Sequence, residues 1–119
     1  MTSRNSVTFL QDIIEAIEDI ECFTKQVDFE EFSKNKEKIY AVQKAIELMG
    51  EAVKNIPDSI RDKYSYIPWR NIAGMRDKLS HQYWKVDLEV IWKVVEDNLP
   101  ELKVMIIQVI QDFSKNEEN

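Results

Sequence analysis

Two glycines and three prolines are all the chain-breaking residues in 119 positions. So little punctuation excludes a many-turned β architecture and favours helices. There is one cysteine, Cys22, so no internal disulfide can form. That usage fits a reducing compartment, and a cytoplasmic location is expected. One histidine and one cysteine, far apart, argue against a zinc site, and no cofactor is expected. No apolar run approaches the roughly 18 residues that span a bilayer, so no membrane role is expected. The N-terminal Met1-Thr-Ser-Arg-Asn-Ser leads into an amphipathic pattern, not the apolar stretch of a signal peptide. The length suits a single domain over residues 1–119.

Charge makes up 32% of the chain, and the net value is −6. That sign disfavours a generic nucleic-acid binder. The distribution is uneven. Arg61, Lys63, Arg70, Arg76, Lys78 and Lys85 outnumber Asp62 and Asp77, so residues 61–85 carry +4 and the rest −10.

Apolar spacing predicts an all-α, up-and-down bundle of four to five helices. Val7, Leu10, Ile13, Ile14, Ile17 and Ile20 give one face to a helix over 6–23. Asp28 followed by Glu31 resembles a capping box opening a second helix that ends near Asn55. Its polar stretch Lys34–Lys38 marks exposure or a kink. Tyr64, Tyr66 and Ile67 are expected as apolar anchors in the connection that follows, beside a short turn of helix at Ser59–Lys63. Pro68 suits the start of a third helix, Trp69 to about Leu79, buried through Ile72, Met75 and Leu79. Gly74 within it costs about 1 kcal/mol against alanine, which a close approach by another helix would explain. A fourth helix, Leu88–Asn98, is capped by Asp87 and apolar at Val90, Ile91, Val94 and Val95. A fifth starts at Pro100, with Leu102, Met105, Ile106, Val109, Ile110 and Phe113 as its stripe.

Arg76-Asp-Lys-Leu-Ser-His81-Gln-Tyr83 concentrates groups able to act on a phosphodiester. Arginine grips phosphate oxygens with a planar fork of donors. Histidine moves protons near neutral pH. Tyrosine donates or accepts a hydrogen bond. On a continuous helix Arg76 and Tyr83 share a face, whereas His81 stands about 140° from Arg76. Either the helix breaks near Ser80–Gln82, or a second copy completes the site. With RNA as substrate, the 2′-hydroxyl can attack its own phosphate, so no metal is required. Taken alone, a lone histidine near a helix end is more often a cap or a surface residue. Trp69, Trp84 and Trp92 are more often packing anchors than base-stacking platforms.

The wider context is more specific. Pro68-Trp-Arg-Asn-Ile-Ala-Gly-Met-Arg76-Asp-Lys-Leu-Ser-His81-Gln-Tyr83-Trp, then Val86-Asp-Leu-Glu-Val-Ile-Trp92 and Asn98-Leu-Pro-Glu-Leu-Lys103, resembles the HepT-like branch of the HEPN superfamily. That resemblance implies a homodimeric helical bundle with R-x4-H-x-Y motifs near the dimer cleft. It implies a toxin of a toxin–antitoxin pair, acting as a metal-independent endoribonuclease on RNA. Arg76 and His81 would be catalytic, with Asp77 and Tyr83 in support. It further implies an MntA-type nucleotidyltransferase antitoxin that transfers AMP to Tyr83, placing bulk and negative charge where RNA phosphate must sit. A competing reading is a non-catalytic regulatory or nucleotide-binding partner subunit of such a nucleotidyltransferase. The acidic balance outside residues 61–85 favours it.

Overall fold

The computed structural model describes the backbone of residues 2–81 and 88–118, with side chains at 5–75 and 88–115. These residues form seven α-helices, one π-helical segment and no strand, so the all-α expectation holds. The helices are α1 (Thr2–Thr24), α2 (Phe29–Lys34), α3 (Lys36–Lys54), α4 (Asp58–Lys63), α5 (Trp69–His81), α6 (Leu88–Lys93) and α7 (Leu99–Glu118). The π-helical segment, Val94–Asn98, joins α6 directly to α7.

The long helices α1, α3, α5 and α7 make the bundle. Helix α1 packs against α3 and α7, and α3 packs against α5. The predicted face of α1 is the core: Leu10, Ile13, Ile17 and Ile20 are fully buried. Phe32, Val42, Ile46, Met49 and Val53 meet it from α2 and α3, and Leu102, Ile106 and Val109 from α7. Two basic side chains tie helix ends to neighbours. Lys38 Nζ donates to the Phe23 carbonyl at 2.8 Å, closing α1. Arg61 donates to the carbonyls of Val53 at 2.6 Å and Ile56 at 3.1 Å, closing α3. Cations suit helix C-termini because the last carbonyls lack partners and carry partial negative charge.

Asp28 caps α2 as expected, its Oδ1 accepting the Glu31 amide at 2.8 Å. The helix expected to run on to Asn55 is interrupted at Asn35. This residue takes extended backbone angles, and its Oδ1 accepts the Lys38 amide at 3.0 Å, capping α3. An asparagine amide competes for backbone groups and so favours a cap over a helix interior. The kink placed at Lys34–Lys38 is this break.

Four further expectations change. Tyr66 is 59% exposed, whereas Tyr64 and Ile67 are buried as predicted. Val90 is 57% exposed, and Ile91 alone of the α6 side chains is nearly fully buried. A Cβ built on Gly74 meets nothing within 4 Å among the described residues, so no described helix approaches it closely. Pro100 does not begin a separate helix. It is the second residue of α7, in a backbone that stays helical from Leu88 onward. The Leu99 amide donates five residues back, to the Val94 carbonyl. Proline has no amide hydrogen and clashes with the carbonyl four residues earlier, and a widened π turn relieves that conflict.

The tryptophans behave as packing residues where described. Trp69 is buried and Trp92 stacks obliquely near Phe32, ring centroids 5.0 Å apart. The Asp87 cap and Trp84 lie outside the described residues, as do the side chains of Leu79 and Lys78.

Candidate active site

Helix α5 carries Arg76, Asp77 and His81 of the motif, and its first two turns are fastened before them. The Pro68 carbonyl accepts the Ile72 amide at 3.1 Å. The Trp69 indole donates to the Tyr64 carbonyl at 3.1 Å, with the ring 5% exposed. Tyr64 in turn donates its hydroxyl to Asp112 of α7 at 2.9 Å. Burial, and then the Asp112 carboxylate beside it, push the Tyr64 hydroxyl up to about 12. It therefore stays protonated at neutral pH and remains the donor that fixes the start of α5 to the end of α7.

Arg76, Asp77 and His81 all lie on α5, which stays helical through Ser80 and His81. The break allowed at Ser80–Gln82 therefore does not occur at its first two positions. Arg76 and His81 stand on one helix, about 7.5 Å apart along the axis and about 140° apart around it. Their side chains lie outside the described residues, as does Tyr83 entirely.

The basic stretch is thinner than its charge count. Arg61 is committed to the end of α3, and Lys63 lies over the Tyr64 ring at 5.5 Å. Arg70 is exposed, on the turn of α5 before the motif. Elsewhere the polarity is opposite. A hollow of about 410 Å³ between α1 and α3 is bordered by Asp12, Glu15, Asp19 and Glu51 over Phe9 and Leu48. Its carboxylates would repel a phosphate chain, so its size does not make it an RNA site. Among the described residues no group of three or more His, Cys, Asp or Glu side chains could hold a metal ion.

A smaller groove of about 190 Å³ runs between α5 and α7 and reaches Met75, the residue before Arg76. Asn71, Asn98 and Glu101 stand on its border. Sequence reasoning missed these three. Asn71 and Met75 share a helical face by their spacing of four, but only the docking of α7 shows what that face meets.

The all-helical bundle is consistent with the HEPN type. The family described as ribonuclease HepT-like matches residues 13–109, and the chain belongs to it. Relatives agree. A Methanocaldococcus jannaschii protein named a putative RNase is 45% identical over all of this chain and 98% of its own length. A second from that organism, named likewise, is 45% identical over 97% of this chain and 99% of its own. A protein of Thermococcus cleftensis named a probable ribonuclease HepT is 48% identical over 84% of this chain and 91% of its own. No solved structure gives a significant match.

Proposed function

We propose that this chain is a single-domain, metal-independent endoribonuclease, the cytoplasmic toxin of a toxin–antitoxin pair. The observation that carries the reading is the R-x4-H spacing on an unbroken α5, in a chain of the ribonuclease HepT-like family. In the reaction the ribose 2′-oxygen bonds to phosphorus and the bond from phosphorus to the 5′-oxygen breaks. A neutral His81 takes the 2′ proton, and a protonated His81 supplies one to the leaving oxygen. Arg76 stabilises the charge growing on the phosphoryl oxygens. Asp77 and Tyr83 orient these groups. The products are a 2′,3′-cyclic phosphate and a 5′-hydroxyl.

Because Arg76 and His81 diverge on one helix, a cleft between two copies is the arrangement that lets both reach one phosphate. Tyr83, two residues past His81, is the target for AMP transfer by an MntA-like nucleotidyltransferase, which switches the nuclease off. The test uses purified, unmodified protein and a defined RNA in excess EDTA, beside the His81→Ala form. Cleavage by the wild type alone, leaving cyclic-phosphate ends, is expected.

The net charge of −6 and the commitment of Arg61 to a helix end favour one alternative, a non-catalytic partner subunit of the nucleotidyltransferase. Absence of cleavage by either form, with intact mass confirming that Tyr83 is unmodified, would favour that alternative over the nuclease.

A further inference from the structure

The groove between α5 and α7 lies beside the motif, yet no motif residue explains it. Ile72 and Leu102, both nearly fully buried, form its floor. Met75, Leu99 and Met105 give it apolar walls, while the exposed Asn71, Asn98 and Glu101 border it with amides and a carboxylate. The contact of Tyr64 with Asp112 fixes the two helices at one end. The other end opens where Met75 passes into Arg76.

We infer that, if the ribonuclease reading holds, this groove receives one RNA base next to the scissile phosphate. The inference further assigns it a preference for bases that carry an exocyclic amino group. Four observations converge on it. The groove, about 190 Å³, has room for one planar ring. Methionine thioethers and a leucine offer the polarizable, apolar contact that a base face needs. Each asparagine amide presents a donor and an acceptor side by side, the pattern of a base edge. Glu101 only accepts hydrogen bonds when ionised, so it matches the amino group of cytosine, adenine or guanine and opposes the carbonyl of uracil. Asn71 precedes Arg76 by about 7.5 Å along the helix axis and stands about 140° from it around the axis, so a strand with its base in the groove must pass round α5 to bring its phosphate to the motif. Unpaired RNA presents such bases splayed from the stack.

Met75 and Met105 are two of four methionines and report on the groove directly. The full-length His81→Ala protein, carbon-13 labelled at methionine methyls, would be titrated with CMP and with UMP. These carry the same phosphate and differ in the base. Shifts at Met75 and Met105 that saturate at least fivefold earlier with CMP are expected. Asn71→Ala combined with Asn98→Ala should abolish them, and Glu101→Gln should bring the two nucleotides level. No shift, or equal shifts that the asparagine substitutions leave intact, would overturn the inference. So would shifts that follow protein concentration alone, since a second copy would then fill the groove. Cleavage of RNA by the wild type separates the two readings. Cleavage without methyl shifts removes the groove and keeps the nuclease; methyl shifts without cleavage remove the nuclease and leave a nucleotide site.

Discussion

Tyr64 shows how far one side chain can reach. Its hydroxyl donates to Asp112 of α7, while its main-chain carbonyl accepts from the Trp69 indole, so the entry to α5 and the far end of α7 meet at one residue. Tyr64→Phe should lower unfolding free energy by about 1–2 kcal/mol, because a carboxylate loses a donor, although Gln108 still reaches Asp112. Urea unfolding at pH 7 measures it. The pH dependence has a definite sign. The folded hydroxyl holds its proton up to about 12 against an ordinary 10.0, so the native state binds more protons between those values. Stability from this group is complete below pH 10 and declines as pH rises towards 12. Lys103, held above its ordinary value mainly by the hydrogen bond to Glu21, adds a decline of the same sign. The wild-type midpoint should therefore fall more steeply than that of Tyr64→Phe, the difference being the tyrosine's share. Residues of this kind were half legible in the sequence. Apolar anchoring of Tyr64 follows from its setting, but a partner 48 positions away does not.

Elements were read best where apolar spacing was long and regular. The stripes of α1 and α7 are the core that the sequence implies, because burial on one face is what imposes the period. Boundaries set by a single polar side chain were harder. Asn35 could sit within a helix or stop one, and its amide decides for the cap. Gly74 gives the clearest test at this scale. With nothing within 4 Å of a built Cβ, Gly74→Ala should stabilise the protomer by about 0.5–1 kcal/mol through helix propensity alone. Thermal unfolding at low protein concentration would read that gain. Destabilisation there would mean that α5 is more crowded than its surroundings imply.

For the whole molecule, the proposal of a site shared between two copies makes a prediction that no single variant can test. Arg76→Ala and His81→Ala should each be inactive as homodimers. Mixed and allowed to exchange, they should recover up to about one quarter of wild-type cleavage, since half the dimers are mixed and each has one intact composite site. Cleavage of a labelled RNA before and after mixing measures this. No recovery, with exchange confirmed by mass, would place both groups in one chain. Overall fold class was legible because helices are a local matter. The groove at Asn71, Asn98 and Glu101 was not, since it exists only where two helices distant in sequence face each other.

The join between α6 and α7 has a genetic consequence. A π turn holds one residue more than an α turn while leaving later side chains on almost the same faces. Val94–Asn98 is thus a spare residue absorbed in place. Deleting one residue there should let the turn close into α-helix and keep Leu102, Ile106 and Val109 directed at the core. Deleting one later in α7 would turn everything beyond it by about 100°. The first deletion, however, would return Pro100 to a plain helix, where it costs about 3 kcal/mol. The shortened chain and Pro100→Ala are therefore coupled changes: the substitution should rescue the deletion, and a lineage that loses the extra residue should lose the proline with it.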